Sequence, residues 1–169
     1  MTISKSDVFF PVVLENFLSE HHCKLLTRWM LREAIHTRRP KGDSQVSKCI
    51  SFPQPIFQEG LLHQYGSKLS STLNLQLSPS YVYARLYLYG AFLPKHTDRK
   101  ECELTVSICL DSSTKRSWPL YIEICPGKIL EVLLATNSAV VFDGRRFSHW
   151  RNQLEQDWNS QLFLHYYIK

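Results

Sequence analysis

The chain has 169 residues, 44% of them hydrophobic, which is enough to bury the core of one domain. Its formal net charge is +5, but the basic residues form short clusters and no long run, which argues against nucleic acid as a partner. No apolar stretch approaches the roughly 18 residues of a membrane span, and no cleavable leader is recognisable, so we expect a soluble, cytoplasmic protein.

Five cysteines make an odd number and show no C-x-x-C spacing. This pattern favours free thiols over disulfides or a zinc site, and a reducing compartment. The residues are Cys23, Cys49, Cys102, Cys109 and Cys125.

Two helices are predicted in the first half of the chain. Apolar residues recur at helical spacing from Ser19 to Ile35, with Ser19 as a candidate N-cap, and again from Ile56 to Leu73. The segment between them, Arg38 to Gln54, is polar and rich in turn residues, and it is predicted to be a loop.

After Pro79 the hydrophobic pattern changes to a period of two, first in YVYARLYLY (81–89). Seven more strand-like runs follow, at 93–98, 102–110, 119–125, 128–134, 138–142, 147–152 and 161–168. Eight short strands behind two helices predict a mainly β fold, a double-sheet jelly roll. We therefore expect one domain over residues 1–169, with 1–80 as helical support and 81–169 as the jelly-roll core.

The segment PKHTDRKECE contains a candidate metal site. His96 and Asp98 are two residues apart, and on an extended strand this spacing puts both side chains on one face. His149, in the strand-like run of FDGRRFSHWRNQ, is the candidate third ligand. Two histidines and one carboxylate form the facial triad that holds iron(II) and leaves coordination positions open.

These segments resemble the prolyl-4-hydroxylase-like group of 2-oxoglutarate and iron(II)-dependent oxygenases, from about Phe9 to the C-terminus. VVLENFLSEHHCKLL is similar to that group's first strand and helix, YLYGAFLPKHTD to its Y-x-x-G-x(5)-H-x-D segment, and VVFDGRRFSHW to its distal-histidine segment. The resemblance implies a double-stranded β-helix, iron(II) held by His96, Asp98 and His149, and Tyr87 near the 2-oxoglutarate.

The sequence departs from the group at one functional position. The group normally has an Arg or Lys on the last strand that pairs with the far carboxylate of 2-oxoglutarate, but here the last predicted strand begins with Gln161. A buried dicarboxylate needs a cation. Arg151 is the first candidate because it is two residues from His149 on the same strand face, and Arg85, on the face of Tyr87, is the second. Gln161 remains a candidate hydrogen-bond donor.

The resemblance implies hydroxylation of a substrate with O2 and 2-oxoglutarate as co-substrates and with succinate and CO2 as co-products. It favours an amino-acid or peptidyl substrate. Candidate substrate-pocket residues are Tyr83 on the tyrosine-rich strand, His165 on the last strand and Trp150 beside His149. No sequence feature predicts the oligomeric state.

Two other functions remain open at this point. A cupin-like metalloenzyme would use the same jelly roll without 2-oxoglutarate, and the missing last-strand cation favours it. A non-catalytic jelly-roll binding module would need no metal, but retention of all three candidate ligands argues against it.

Overall fold

The computed structural model describes residues 11–36 and 41–169. Its helices are α1 (Glu20–His36) and α2 (Gln58–Leu73). Its strands are β1 (Val12–Leu14), β2 (Cys49–Phe52), β3 (Leu77–Leu88), β4 (Leu93–His96), β5 (Leu104–Ser112), β6 (Leu120–Cys125), β7 (Lys128–Val132), β8 (Ser138–Phe142), β9 (Ser148–Arg151) and β10 (Trp158–Ile168). Phe9 and residues 38–40 of the predicted loop lie outside the described ranges.

The strands form two antiparallel sheets. The major sheet has the order β1-β8-β5-β10-β3-β2, and the minor sheet has the order β4-β9-β6-β7. Both orders require crossovers between sequentially distant strands, as in a jelly roll. The predicted fold class, mainly β with N-terminal helices, is confirmed.

Both predicted helices are present and cover the outer face of the major sheet. The backbone N–H of His22 donates to Ser19 Oγ at 3.1 Å, so Ser19 caps α1 as predicted. Buried residues of α1 and α2, such as Leu26, Met30 and Leu69, form one core cluster with Leu86 of β3. These helices hold the major sheet in place behind the site.

Side chains on a strand alternate between the two faces of a sheet, so one face of the major sheet packs into the core and the other lines a cavity. On β3, Val82, Ala84 and Leu86 belong to the core beneath the helices. The residues between them line a cavity between the two sheets, and they are Tyr81, Tyr83, Arg85 and Tyr87. The neighbouring strand β10 continues both sets, because Phe163, the partner of Tyr83, also lines the cavity and Leu162, the partner of Ala84, belongs to the core.

All eight predicted strands are present, and the structure adds two. β1 corresponds to the first strand implied by the resemblance, and it pairs with β8. β2 lies inside the segment predicted as a loop and pairs with β3 at the edge of the major sheet. β3 also begins at Leu77. The part of the chain before residue 81 therefore contributes strands to the major sheet as well as helices.

All five cysteines lie within the described ranges and are free thiols, of which only Cys125 is exposed. Across 11–36 and 41–169, no helix has both the length and the apolar character needed to cross a membrane.

Candidate metal and co-substrate site

A cavity of about 380 Å³ lies between the two sheets. This volume falls within the range of roughly 300–1,000 Å³ that is typical of ligand pockets. The three candidate metal ligands and two buried arginines line it together.

His96, Asp98 and His149 come together on the minor-sheet side of this cavity. His96 and His149 are cross-strand partners on β4 and β9, with ring centroids 4.3 Å apart. Asp98 lies just beyond the end of β4, and its Oδ1 is 3.6 Å from His96 Nε2 and 3.5 Å from His149 Nε2. One donor atom of each side chain lies within 4.8 Å of the other two. The three residues can therefore face one metal ion.

The hydrogen bonds of the two histidines fix which nitrogen is available. His96 Nδ1 lies 2.8 Å from the carbonyl oxygen of Pro94, and His149 Nδ1 lies 2.9 Å from that of Phe147. Because a carbonyl oxygen can only accept, both Nδ1 atoms carry a proton, and the Nε2 atoms, which face Asp98, are the nitrogens available to a metal. Such bonds are typical of histidines that bind metals. The donor set of two imidazoles and one carboxylate suits iron(II).

Asp98 is held from the side opposite the histidines. Thr105 Oγ1 donates to Asp98 Oδ2 at 2.7 Å, and the Asp98 backbone N–H donates to the carbonyl of Gly144 at 2.8 Å. Burial opposes ionisation of Asp98, but its interactions with His149 and His96 and the hydrogen bond from Thr105 outweigh the effect of burial and hold its pKa well below the usual range. The carboxylate is therefore charged and fixed in orientation.

Residue 144 must be a glycine, because it lies directly beside the Asp98 carboxylate. A Cβ atom at this position would meet Asp98 Oδ2 at 2.0 Å and Thr105 Oγ1 at 2.6 Å. Real Cβ contacts are never this short, so any side chain at residue 144 would displace the carboxylate. The Asp143-Gly144 turn thus has a steric role at the site.

Arg151 is a buried cation in the same cavity. Its side chain follows His149 on the inward face of β9, and the residue is 2% exposed. The guanidinium lies over the Trp118 ring, 4.8 Å from the centroid, and donates to the Trp118 carbonyl and, at 3.4 Å, to Gln161 Oε1. Within the described ranges it has no ion-pair partner. Burial lowers its pKa, which reflects an uncompensated positive charge.

Arg85, in contrast, already has an acid partner. Its Nη2 lies 2.8 Å from Asp43 Oδ2, and its guanidinium also donates to Gln45 Oε1 and to the hydroxyl of Tyr87. Despite its burial, the neighbouring Tyr87, Tyr83 and Asp43 raise the pKa of Arg85 above its ordinary value. Its charge is neutralised within the protein.

The other two predicted co-substrate residues lie beside these arginines. Tyr87 is fully buried, and its hydroxyl accepts from Arg85 Nη1 at 3.0 Å, so its own proton is free to be donated. Gln161 Nε2 donates to Asn159 Oδ1 at 2.5 Å, while its Oε1 accepts from Arg151.

Two of the three predicted substrate-pocket residues line the cavity. Tyr83 and His165 do so, and His165 packs against the Tyr81 ring with centroids 4.4 Å apart. Burial lowers the pKa of His165 to about 4, so its ring is neutral at neutral pH.

Trp150 does not line the cavity, contrary to expectation. Because His149 and Arg151 face inward on β9, the residue between them faces outward. Trp150 stacks on Tyr121 with an interplanar angle of 20° and lies beneath the ammonium group of Lys95 on the outer face of the minor sheet.

Three residues of the site were missed by sequence reasoning. Trp118 supports Arg151, Asp43 pairs with Arg85, and Thr105 holds Asp98. Thr105 could have been found, because the alternation of β5 puts it on the cavity face. Asp43 and Trp118 lie in irregular segments, where no periodicity predicts direction.

No protein-family model and no curated protein sequence matches the chain. Solved structures do match its fold. A prolyl-4-hydroxylase from Pseudomonas putida matches with a TM-score of 0.70 and 17% identity over 92% of this chain and 91% of that one.

Two further hydroxylases have the same fold. A viral collagen prolyl hydroxylase from Paramecium bursaria Chlorella virus-1, solved with 2-oxoglutarate, matches with a TM-score of 0.65 and 14% identity over 95% of this chain and 97% of that one. A Trichoplax adhaerens prolyl hydroxylase, in complex with a hypoxia-inducible-factor peptide fragment, matches with a TM-score of 0.67 and 12% identity over 92% and 83%. The chain therefore has the double-stranded β-helix fold of the prolyl-4-hydroxylase-like 2-oxoglutarate and iron(II)-dependent oxygenases.

Proposed function

We propose that this protein is a 2-oxoglutarate- and iron(II)-dependent dioxygenase. His96, Asp98 and His149 hold the metal, and Arg151 binds the 5-carboxylate of 2-oxoglutarate. The observation that carries the proposal is the presence in one cavity of a two-histidine, one-carboxylate group and a buried arginine with no acid partner in the described part of the chain.

The state of Arg151 favours a dicarboxylate co-substrate. An unpaired buried charge costs several kcal/mol, and an anion that pairs with it recovers much of that cost. The Arg151 side chain donates hydrogen bonds to two neutral oxygens, the Trp118 carbonyl and Gln161 Oε1. A carboxylate would supply the missing negative charge in a bidentate, charge-assisted pair.

The position of Arg151 bears on the absence of a basic residue from the last strand. β10 carries no Arg or Lys where the resemblance implies one, and the Arg151 side chain, which comes from β9, contacts Gln161 on that strand. The argument for a cupin-like enzyme without 2-oxoglutarate rested on a missing cation. A cation is present, so we propose the oxygenase alone.

The other cavity residues would orient the co-substrate and keep water out. The free hydroxyl proton of Tyr87 is available to a carboxylate oxygen near Arg151. Phe142 packs edge-on against the His149 ring at 4.9 Å and shields that side of the metal site. When bound, iron(II) with 2-oxoglutarate and O2 supplies the oxidant for a C–H bond, with succinate and CO2 as co-products.

For the substrate we propose an amino-acid or peptidyl residue. Tyr83, Phe163 and His165 form an aromatic wall beside the metal ligands, suited to a compact, partly apolar group. The Trichoplax neighbour was solved with a peptide fragment, which is compatible with this class.

Succinate production tests the proposal. The purified protein should form succinate from 2-oxoglutarate when iron(II) and O2 are supplied, and a strong chelator should stop it. Oxygen consumption with amino acids, peptides and cell extract then identifies the substrate class. A protein that binds neither iron(II) nor 2-oxoglutarate would contradict the proposal.

A further inference from the structure

A second group of metal-binding side chains adjoins the first. Donor atoms of Asp98, Cys102 and His165 all lie within 4.8 Å of one another. Cys102 is 1% exposed and His165 is 6% exposed, so both are removed from bulk water. Within 11–36 and 41–169, this group and the iron triad are the two in which three such residues come this close.

The Asp98 carboxylate lies between the two groups. Its Oδ1 faces the Nε2 atoms of His96 and His149. Its Oδ2 is on the side of Thr105, whose hydroxyl is 3.3 Å from His165 Nδ1. A carboxylate has two oxygens and about four lone pairs, so it can serve ligand groups on both sides.

The donor set of the second group differs in kind from the first. A thiolate, an imidazole and a carboxylate are the three ligand types that zinc binds in proteins, usually with tetrahedral geometry. A thiolate selects borderline-soft ions such as Zn²⁺ over Mg²⁺ or Ca²⁺. We propose that Asp98, Cys102 and His165 form a second cation site, for Zn²⁺ or an ion of the same class, that shares Asp98 with the iron triad.

Neighbouring side chains orient Cys102 and His165, the two ligands that belong to the second site and not to the iron triad. The Tyr81 hydroxyl lies 3.1 Å from Cys102 Sγ, and the Tyr81 ring packs against the ring of His165. Such outer contacts are what fix metal ligands in established sites. The cavity lined by Asp98 and His165 gives an ion a route of access.

Cobalt(II) is the probe, because it replaces zinc and gives a near-ultraviolet charge-transfer band when a thiolate binds it. Metal-free protein is titrated with cobalt under anaerobic conditions. The wild type should develop the thiolate band, and Cys102→Ser should lose it. Cys125→Ser, which removes the one exposed thiol, is the matched control and should keep it.

Two further variants separate this site from the iron triad and from misfolding. The His96→Ala/His149→Ala double variant should keep the band, since neither histidine belongs to the second site. His165→Gln, which retains Cys102, should weaken cobalt binding measured by that band by more than about tenfold. Absence of the band in the wild type, its survival in Cys102→Ser or its loss in Cys125→Ser would overturn the proposal. Because the readout needs neither iron nor 2-oxoglutarate, failure here leaves the proposed dioxygenase function intact.

Discussion

Arg151 Nη2 and Gln161 Oε1 lie 3.4 Å apart, although the two residues belong to different sheets. Gln161 is on β10 in the major sheet, and Arg151 reaches across from β9 in the minor sheet. Arg151 therefore brings a positive charge to Gln161 on β10, a strand that has no Arg or Lys of its own.

Replacing Arg151 with Gln should weaken 2-oxoglutarate binding. A charge-assisted hydrogen-bonded contact is worth roughly 1.5–3 kcal/mol, so the dissociation constant should rise about tenfold to a hundredfold. Calorimetric titration with iron(II) present and oxygen absent measures it. Iron binding itself should be retained, because Arg151 is not a metal ligand.

Arg85→Gln is the matched comparison, since it removes a buried arginine from the same cavity. Arg85 is already paired with Asp43, so its loss should leave the dissociation constant for 2-oxoglutarate near the wild-type value. Weaker binding in Arg85→Gln alone would assign the carboxylate to Arg85.

Moving the charge back to β10 should restore binding. In the double variant Arg151→Gln/Gln161→Arg, the guanidinium would start from β10, the strand on which the resemblance implies a basic residue. The contact between residues 151 and 161 means that both side chains reach one region. We expect the double variant to bind 2-oxoglutarate more tightly than Arg151→Gln in the same titration. Equal affinities would show that Arg151 does not act through its charge at this position.

Gly144→Ala should disturb the metal site through steric overlap. The new Cβ would lie 2.0 Å from Asp98 Oδ2, so the carboxylate must move. We expect iron(II) affinity to fall about tenfold to a hundredfold and stability to fall by about 1–3 kcal/mol. Metal titration and thermal unfolding measure the two effects.

Gly60→Ala is the control for that substitution. Gly60 lies in α2, and a Cβ there would meet nothing within 4 Å. Alanine favours a helix, so the variant should gain up to about 1 kcal/mol and bind iron(II) normally. Normal metal binding by Gly144→Ala would show that Asp98 tolerates displacement.

The fold was predictable because its strands obey a period of two over long runs. The β3 segment is the clearest case, since its even-numbered residues from Val82 to Leu86 meet the helices and its odd-numbered ones line the cavity. β2 was not predicted, because it has only four residues and lies between turn-rich segments. Too few positions alternate there to separate a strand from a loop.

The site was predictable only in part. The spacing of His149 and Arg151 placed both on one face, and the same alternation should have excluded Trp150. The pair of Asp43 and Arg85 could not be predicted, since it joins a loop to a strand far along the chain. Sequence alone therefore ranked Arg151 before Arg85 only by strand geometry, and the tertiary contacts show that Arg85 is paired with an acid.

Asp43→Asn should destabilise the protein in a pH-dependent way. Burial opposes ionisation, yet hydrogen bonds from Ser51 and Val46 and the charge of Arg85 lower the pKa of Asp43 from its ordinary 3.8. The stabilisation is therefore complete well above pH 3.8 and is lost as pH falls from there. Leaving Arg85 without its acid partner should cost about 1–3 kcal/mol at neutral pH, less than for a fully buried pair, because the Asp43 side chain is partly exposed.

Urea unfolding at neutral pH and below pH 3.8 checks this prediction. The difference between wild type and Asp43→Asn should shrink as pH falls below 3.8, because the unfolded wild-type chain then binds a proton at Asp43 that the folded protein does not, and this favours unfolding of the wild type. Asp157→Asn, at an exposed position, should change little at either pH. A difference that is constant with pH would mean that the Asp43 charge contributes nothing.

The most direct test of the central claim is the visible charge-transfer absorption that arises when a 2-oxo acid chelates protein-bound iron(II). It is recorded anaerobically after addition of iron(II) and 2-oxoglutarate, so no substrate needs to be known. The wild type should show the band, and Asp98→Ala should show none while its circular dichroism remains that of the wild type. A wild-type protein without the band, or an Asp98→Ala protein with the full band, would contradict the account.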